Sequence, residues 1–550
     1  MVQFTASVKP SGASQSVTWS LGADECVNQS CGTIDSSGKF TAPASMYPTH
    51  IRVRATTASN PNLLAEAVVT MTSPVEDNSN NARFVGQYVL LLGTGFDSAL
   101  EARQALAATI VASGTGSLSG TCDDPGHSTL SDEIEGGYTV GKDFRASITL
   151  GCGAADARTL RVAFAPPADG QPVERGQVIQ LGYPDQDLSA GLIVRQNPNA
   201  ISAASVVGDY AFSLGPLIGR FTLEQDNDFG NNIVKSGQLD VQFGSFTQRN
   251  LSFTGEFEVD SNGRGRLVLQ GLPSLVIPDP FLPVTLDDLL REFRFYIISK
   301  DEIVLLPTFS STGCCPVNPA VSVGLAQRQS GLPFGNSSLT GSAVLLYTQG
   351  LEFLLSRVNF DGAGTFSGSG DRFTGGFDSG GAHEENVPVV GTYSLAPDGL
   401  GRGSITINGA ETALYLVRPG RAVLGLNSLP ALLESQTGGP FSNASLAGDY
   451  AVGSTMPPFW GRVTGVLNAQ GDGGGSAVLD AFFIGPADGQ SAFTIGDEAT
   501  AYYSTSSDGR TTLNLVDFDG LGWDAVFYLL SPSRAVGIWT HASGTAVLER

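Results

Sequence analysis

The residues best able to do chemistry in this chain are few and scattered. His383 is followed by Glu384 and Glu385, but no second histidine stands four residues on, as two imidazoles on one helical face would need to grip zinc. His50, His127 and His541 lie far apart in the sequence and read as surface or interface residues. The run Asp226-Asn227-Asp228-Phe229-Gly230-Asn231-Asn232 offers the oxygen donors of part of a calcium loop, yet the closing glutamate is missing. Corresponding turns elsewhere in the chain lack those carboxylates, so a tight turn is expected there. The glycines Gly114, Gly116 and Gly120 place the last one a residue too late for a dinucleotide loop, and they join strand to strand. No Gly-x-Ser-x-Gly elbow occurs. The expectation is therefore a non-enzymatic protein without a catalytic residue, metal site or cofactor.

Six cysteines complete the reactive inventory. Cys26 and Cys31 share one loop and are expected to pair, as are Cys122 and Cys152, which follow successive strand segments and would staple a rim. Both pairings suit an oxidising compartment. Cys314 and Cys315 are neighbours, for which free thiols or bridges elsewhere remain equally admissible.

Thirty Lys and Arg against 53 Asp and Glu leave a formal charge of -23, and only five of the cations are lysines. Such a surface repels a phosphate backbone, which excludes nucleic acid as a partner. The most apolar stretch, Leu272 to Leu290, is broken by Pro273, Pro278, Pro280 and Pro283, so no transmembrane helix is expected. The start at Met1 runs straight into an alternating strand without the basic and apolar regions of a signal peptide. With 69 glycines and 15% charged residues, the composition describes strands joined by tight turns, an all-β chain.

Those strands recur at long range. Units open at Gly86-Gln87-Tyr88, Gly208-Asp209-Tyr210, the degenerate Gly341-Ser342-Ala343 and Gly448-Asp449-Tyr450, spaced by 122, 133 and 107 residues. They close on Arg195-Gln196, Arg328-Gln329, Glu434-Ser435-Gln436 and Glu549-Arg550. Within each, a hairpin is anchored by Tyr138, Phe257, Tyr393 or Tyr503. Its turn is rich in Gly and Asp, such as Asp398-Gly399-Leu400-Gly401-Arg402, and its return strand carries apolar pairs two apart, such as Leu267 and Leu269. About eight strands per unit are expected, enough for an antiparallel meander to close into a small up-and-down barrel. The predicted organisation is residues 1–74, a linker at 75–82, and four β repeats at 83–197, 198–330, 331–440 and 441–550.

In the first segment, Val17-Thr18-Trp19, the run from Gly32 through Asp35 and Gly38 to Pro43, and Val53-Arg54-Ala55-Thr56 alternate as a small sandwich requires. These phrases resemble the bacterial Ig-like domains of the Big family, and the repeats resemble arrays that follow such domains in environmental bacteria. The resemblance implies an exported or cell-surface protein; it implies no chemistry. It departs at the front, where a leading strand is missing. Phe4 and Val8 would then border an open edge able to accept a strand from another copy.

The second repeat carries a Pro-rich insertion at 271–290 in which Leu275, Ile277, Phe281 and Leu289 are candidate ligand or partner contacts, with a plug over its own barrel as the plainer reading. Thr285 is placed to cap a short helix through Leu290. The leading expectation is a surface spacer, adhesin or structural, filament-forming subunit whose partners are protein or glycan at the cell surface or further copies of itself. The alternative is a carrier holding small hydrophobic ligands or glycans in lipocalin-like barrels.

Overall fold

The structure is a computed structural model that describes residues 2–550 except 11, 13, 23–31, 42–49, 61–62, 71–76, 94, 97–101, 104, 125–128, 154–157, 182–188, 215–216, 226–230, 244–245, 278–283, 286–289, 309–322, 350–351, 375–381, 426–430, 455–460, 485–490, 518–521 and 541–543. Cys26, Cys31, Cys314, Cys315, His127, His541 and the turn from Asp226 to Gly230 therefore lie outside the described residues. The chain divides into two compact units: Met1–Val75 with Val478–Asp497, and Glu76–Ala477 with Glu498–Arg550.

The N-terminal segment forms two three-stranded antiparallel sheets. Lys39–Thr41 lies between Val2–Gln3 and Thr33–Ile34 in one, and His50–Thr57 between Val17–Gly22 and Leu64–Thr70 in the other. The turn at Asp35 is stapled by its own carboxylate, which accepts from the backbone N–H of Ser37 at 2.8 Å and of Lys39 at 3.0 Å. Phe40 and Val53 are buried, with Trp19, Leu21, Ile34 and Val69 packed against them.

The remainder folds as four closed eight-stranded antiparallel barrels. Barrel 1 runs Val85–Leu92, Leu106–Ser113, Ser117–Asp124, Thr129–Val140, Arg145–Cys152, Arg158–Phe164, Arg175–Leu181 and Ala190–Arg195. Each barrel closes by pairing its first strand with its eighth: Tyr88 opposite Arg195, Tyr210 opposite Arg328, Ala343 opposite Ser435 and Ala451 opposite Glu549. Closure leaves no free edge within a barrel.

Period-two alternation sends one face of each strand inward. In barrel 2 that face gathers Phe212, Phe221, Phe253, Phe257, Phe293 and Phe295 with the aliphatic residues between them into one cluster, so bulky side chains occupy the interior. The tyrosine of the opening phrase is buried and ends on a backbone carbonyl: Tyr88 donates to Val173 at 2.9 Å, Tyr210 to Lys300 at 2.7 Å and Tyr450 to Pro532 at 2.7 Å. Burial pushes the Tyr210 phenol up to about 12. Glycines in the central turn have a steric purpose: a Cβ on Gly401 would come within 2.7 Å of the Phe334 ring, and one on Gly509 within 2.9 Å of Phe441. Both phenylalanines are buried beneath these turns.

On the outward faces, apolar side chains are buried where barrels meet. The first and second strands of barrel 1 pack on the sixth and seventh of barrel 2, and the same arrangement recurs from barrel 2 to 3, from 3 to 4, and from 4 back to 1. The four barrels therefore form a closed ring. Val89, Leu91 and Ala107 meet Tyr296, Ile298 and Leu306 at the first seam; Ala211 and Ile218 meet Tyr415 and Val417 at the second; Val344, Leu346 and Leu355 meet Val526, Tyr528 and Ile538 at the third. The fourth seam is polar: buried Thr464 donates to the carbonyl of Gln177 at 3.1 Å, and Gln177 donates to Glu549 at 3.0 Å.

Candidate functional site at the barrel junctions

Each apolar seam encloses one buried ionic group. On the third strand of barrels 1, 2 and 3, an irregularity in the ladder places Asp123, Asp240 and Asp371 on the outside of the barrel, where all three are buried. Each receives an arginine from the central turn of the next barrel. Arg264 reaches Asp123 at 2.6 and 2.8 Å, Arg402 reaches Asp240 at 3.0 and 2.7 Å, and Arg510 reaches Asp371 at 2.8 and 2.5 Å. These are two-pronged pairs, the geometry in which guanidinium and carboxylate bind most specifically. The tyrosine paired across the ladder from each arginine completes the set: Tyr296 donates to Asp123, Tyr415 to Asp240 and Tyr528 to Asp371.

The electrostatics follow from these contacts. Burial opposes the charge on Arg264, but its hydrogen bonds to Asp123 and the charge of that carboxylate outweigh the penalty and raise its pKa. Hydrogen bonds to Asp240 and Asp371 do the same for Arg402 and Arg510 against smaller desolvation. Burial, reinforced by the adjacent aspartate, holds the phenols of Tyr296, Tyr415 and Tyr528 above the ordinary tyrosine range. Above the ordinary phenol pKa of about 10 the unfolded chain sheds protons that the native state keeps. Stability is thus fully present below about pH 10 and declines as the pH climbs toward the folded-state values. Replacing all three with phenylalanine should flatten the decline in thermal midpoint between about pH 10 and 12. An unchanged slope would mean that these phenols are not its source.

A second polar link repeats beside each junction. The glutamine that closes a unit reaches into the following barrel: Gln196 donates to Ile297 at 2.6 Å, Gln329 to Leu416 at 2.7 Å and Gln436 to Leu529 at 2.8 Å. A third network threads all four barrels. Glu302 of barrel 2 lies 3.7 Å from Arg175 of barrel 1, which lies 3.3 Å from Glu549 of barrel 4. Arg534 then joins Glu549 at 3.5 Å to Glu434 of barrel 3 at 2.6 Å. Arg421 meets Glu434 at 3.3 Å, and the more exposed Arg418 meets it at 3.0 Å. Arginines and glutamates alternate along the network, so no two like charges are direct partners in it.

The third junction differs from the others. His383 and Glu385, on the fourth strand of barrel 3 (Ala382–Leu395), join it: His383 Nε2 lies 2.9 Å from Asp371, its ring stacks on Phe373 at 4.4 Å, and Glu385 accepts from Arg510 at 2.9 Å. Asp371, His383 and Glu385 bring their ligand atoms close enough to surround a cation. Arg510 already contacts both carboxylates, so a guanidinium supplies the positive charge there. Beside the cluster, His383 and Glu385 line a groove of about 590 Å³ with Tyr502, Asn514, Asp524 and Thr540.

The residues singled out from sequence fall elsewhere. Cys122 and Cys152 are bonded and buried, tying the third strand of barrel 1 to the fifth. Phe4 packs its ring 6.4 Å from Trp19 within the N-terminal segment, and the backbone of Val8 exchanges hydrogen bonds with the Gln15 side chain at 2.9 Å. Leu275 packs against the core of barrel 2, beside the buried Leu272 and Leu290 that bracket the insertion. Ile277 lies in a two-residue strand opposite Val284, and Thr285, read as a helix cap, pairs with Val276 in the same ribbon. Phe281 and Leu289 lie outside the described residues. Sequence reasoning took His383-Glu384-Glu385 only as a failed zinc motif and did not single out Asp123, Asp240 or Asp371.

No protein-family model matches this chain, and no curated protein matches it in sequence.

Proposed function

We propose that this chain is a non-enzymatic, exported or cell-surface protein in which the ring of barrels serves as a rigid scaffold with an adhesive or structural role. The observation that carries the reading is the repeated Asp-Arg-Tyr junction. It joins barrels whose interiors are already filled, so the polar residues that recur from repeat to repeat hold barrels together rather than line an internal cavity. A carrier of small ligands inside lipocalin-like barrels is less well served by interiors occupied by Phe212, Phe253 and Phe293. The Cys122–Cys152 bond is compatible with export. No described helix is long and apolar enough to cross a membrane, which leaves β-barrel insertion untouched.

Protease shaving of intact source cells, followed by peptide mapping under thiol-blocking, non-reducing conditions, tests the proposal. Barrel peptides should be released without lysis, with Cys122 and Cys152 recovered as one cross-linked pair. A protein confined to the soluble interior of the cell, with both thiols freely alkylated, would overturn it.

A further inference from the structure

The scaffold reading does not require the groove at the third junction, and its composition suits a ligand. Tyr502 stands on the outer face of the fourth strand of barrel 4 with 57% of its surface exposed, unusual for so large a ring beside a polar floor. Across the ladder it faces Asn514, which in turn faces Asp524, and Ser504 faces Thr512 one row along. Asn514 donates its amide to Asp524, fixing both groups before any ligand arrives. The imidazole of His383, which also lines the groove, stacks one face on Phe373 and is held at its edge by Asp371, 2.9 Å from Nε2.

We propose that this groove binds a neutral saccharide. Flat rings at Tyr502 and His383 offer apolar faces for the C–H surface of a pyranose, while Asn514, Asp524 and Thr512 offer donors and acceptors at the spacing of neighbouring strands for its hydroxyls. An apolar ligand would cover the Asn514–Asp524 pair and the Thr512 hydroxyl while offering them no hydrogen bond in place of water. Charge narrows the class further. No described lining residue is lysine or arginine, Asp524 and Glu385 are both acidic, and the nearby Arg510 is engaged by Asp371 and Glu385. Sialylated, uronic and sulfated sugars would meet repulsion and no free cation. A volume of about 590 Å³ suits two or three sugar rings rather than a single small ion. Because the orientation of His383 depends on Asp371, which also clamps Arg510 and Tyr528, the groove is complete only where barrels 3 and 4 are joined.

The full chain should be applied to a printed array of neutral gluco-, manno-, galacto- and N-acetylglucosamine pentamers, with sialylated and polygalacturonate oligomers and an oligolysine peptide beside them. At least one neutral series should bind. Tyr502→Ala should weaken that binding about tenfold or more, Asn514→Ala should also reduce it, and Tyr502→Trp should retain it. Tyr502 is exposed, so its variants should melt with the parent, which separates loss of binding from loss of fold. Binding by no neutral sugar, binding indifferent to Tyr502→Ala, or preferential binding of the acidic oligomers or of oligolysine would each overturn the proposal.

Discussion

Replacing Asp123 with alanine is expected to cost the ring about 3–5 kcal/mol, measured as the shift in its urea unfolding transition. The carboxylate is fully buried, takes two hydrogen bonds from Arg264, one from Tyr296 and one from the Ser131 N–H at 2.9 Å, and lies 4.0 Å from Arg294. Its removal leaves the Arg264 guanidinium only Asp260 at 3.1 Å and the Tyr296 hydroxyl only the Ala107 carbonyl at 2.9 Å, and the loss is governed by that under-compensated burial rather than by the attraction itself. A matched comparison exists within the same barrel. Asp143 pairs with Arg145 at 2.7 Å, but its side chain is 28% exposed and the pair lies within one turn. Asp143→Ala should therefore cost less than about 1 kcal/mol. Converting Asp123, Arg264 and Tyr296 together to Leu, Met and Phe should recover most of the stability. A loss for Asp123→Ala no greater than that for Asp143→Ala would mean the junction is not what holds barrels 1 and 2 together.

Much of the barrel was legible because its rules are local. The apolar pairs two residues apart gave the inward face, the Gly and Asp turns gave the hairpins, and Gly-x-Tyr marked the first strand of barrels 1, 2 and 4, as Val85–Leu92, Gly208–Leu214 and Gly448–Ser454 bear out. The junctions were hidden in the same phrases. Arg264, Arg402 and Arg510 sit in turns that hairpin chemistry alone explains, and nothing local says that the guanidinium leaves its own barrel. Tyr296, Tyr415 and Tyr528 follow inward-facing Phe295, Leu414 and Phe527, so their side chains face outward, and nothing local marks them as junction residues. Asp123, Asp240 and Asp371 left one usable signal: an acid that recurs in the third strand of barrels 1, 2 and 3. An acid that recurs at one place in successive repeats is a candidate for burial and pairing. The groove left no such trace, since Tyr502, Asn514 and Asp524 are neighbours only through strand register.

Closure of the ring was the least legible feature, because the fourth seam does not repeat the other three. Where barrel 2 offers Arg264 and Tyr296, barrel 1 offers Arg145, which turns back to Asp143, and Ala163. Where Tyr296 and Ile298 give the first seam its apolar surface, the fourth has buried Gln177 and Thr464. A seam of side-chain amides, hydroxyls, the alternating Arg-Glu network and the buried Arg161 and Arg462 gains little from apolar burial, and solvent can replace its polar contacts when it parts.

That makes the fourth seam the place to open the ring. Gly453 on the first strand of barrel 4 lies so close to barrel 1 that a Cβ there would overlap the Gln177 side chain. Its backbone is ordinary extended strand, so a valine side chain at this position is acceptable to barrel 4 itself and acts only as a wedge against its neighbour. Gly453→Val should therefore part barrels 1 and 4 while all four barrels stay folded. Thr464, fully buried at the seam, supplies the readout. A Thr464→Cys variant should resist maleimide in the parent background and react at least about tenfold faster when Gly453→Val is present, as expected for a wedge costing about 1–3 kcal/mol. Gly151→Val, at a barrel 1 position where an added Cβ meets nothing within 4 Å, should leave labelling of the thiol introduced by Thr464→Cys slow. Small-angle scattering should report a larger radius of gyration for Gly453→Val alone. Slow labelling and unchanged scattering in that variant would mean that barrels 1 and 4 do not hold the ring closed in solution.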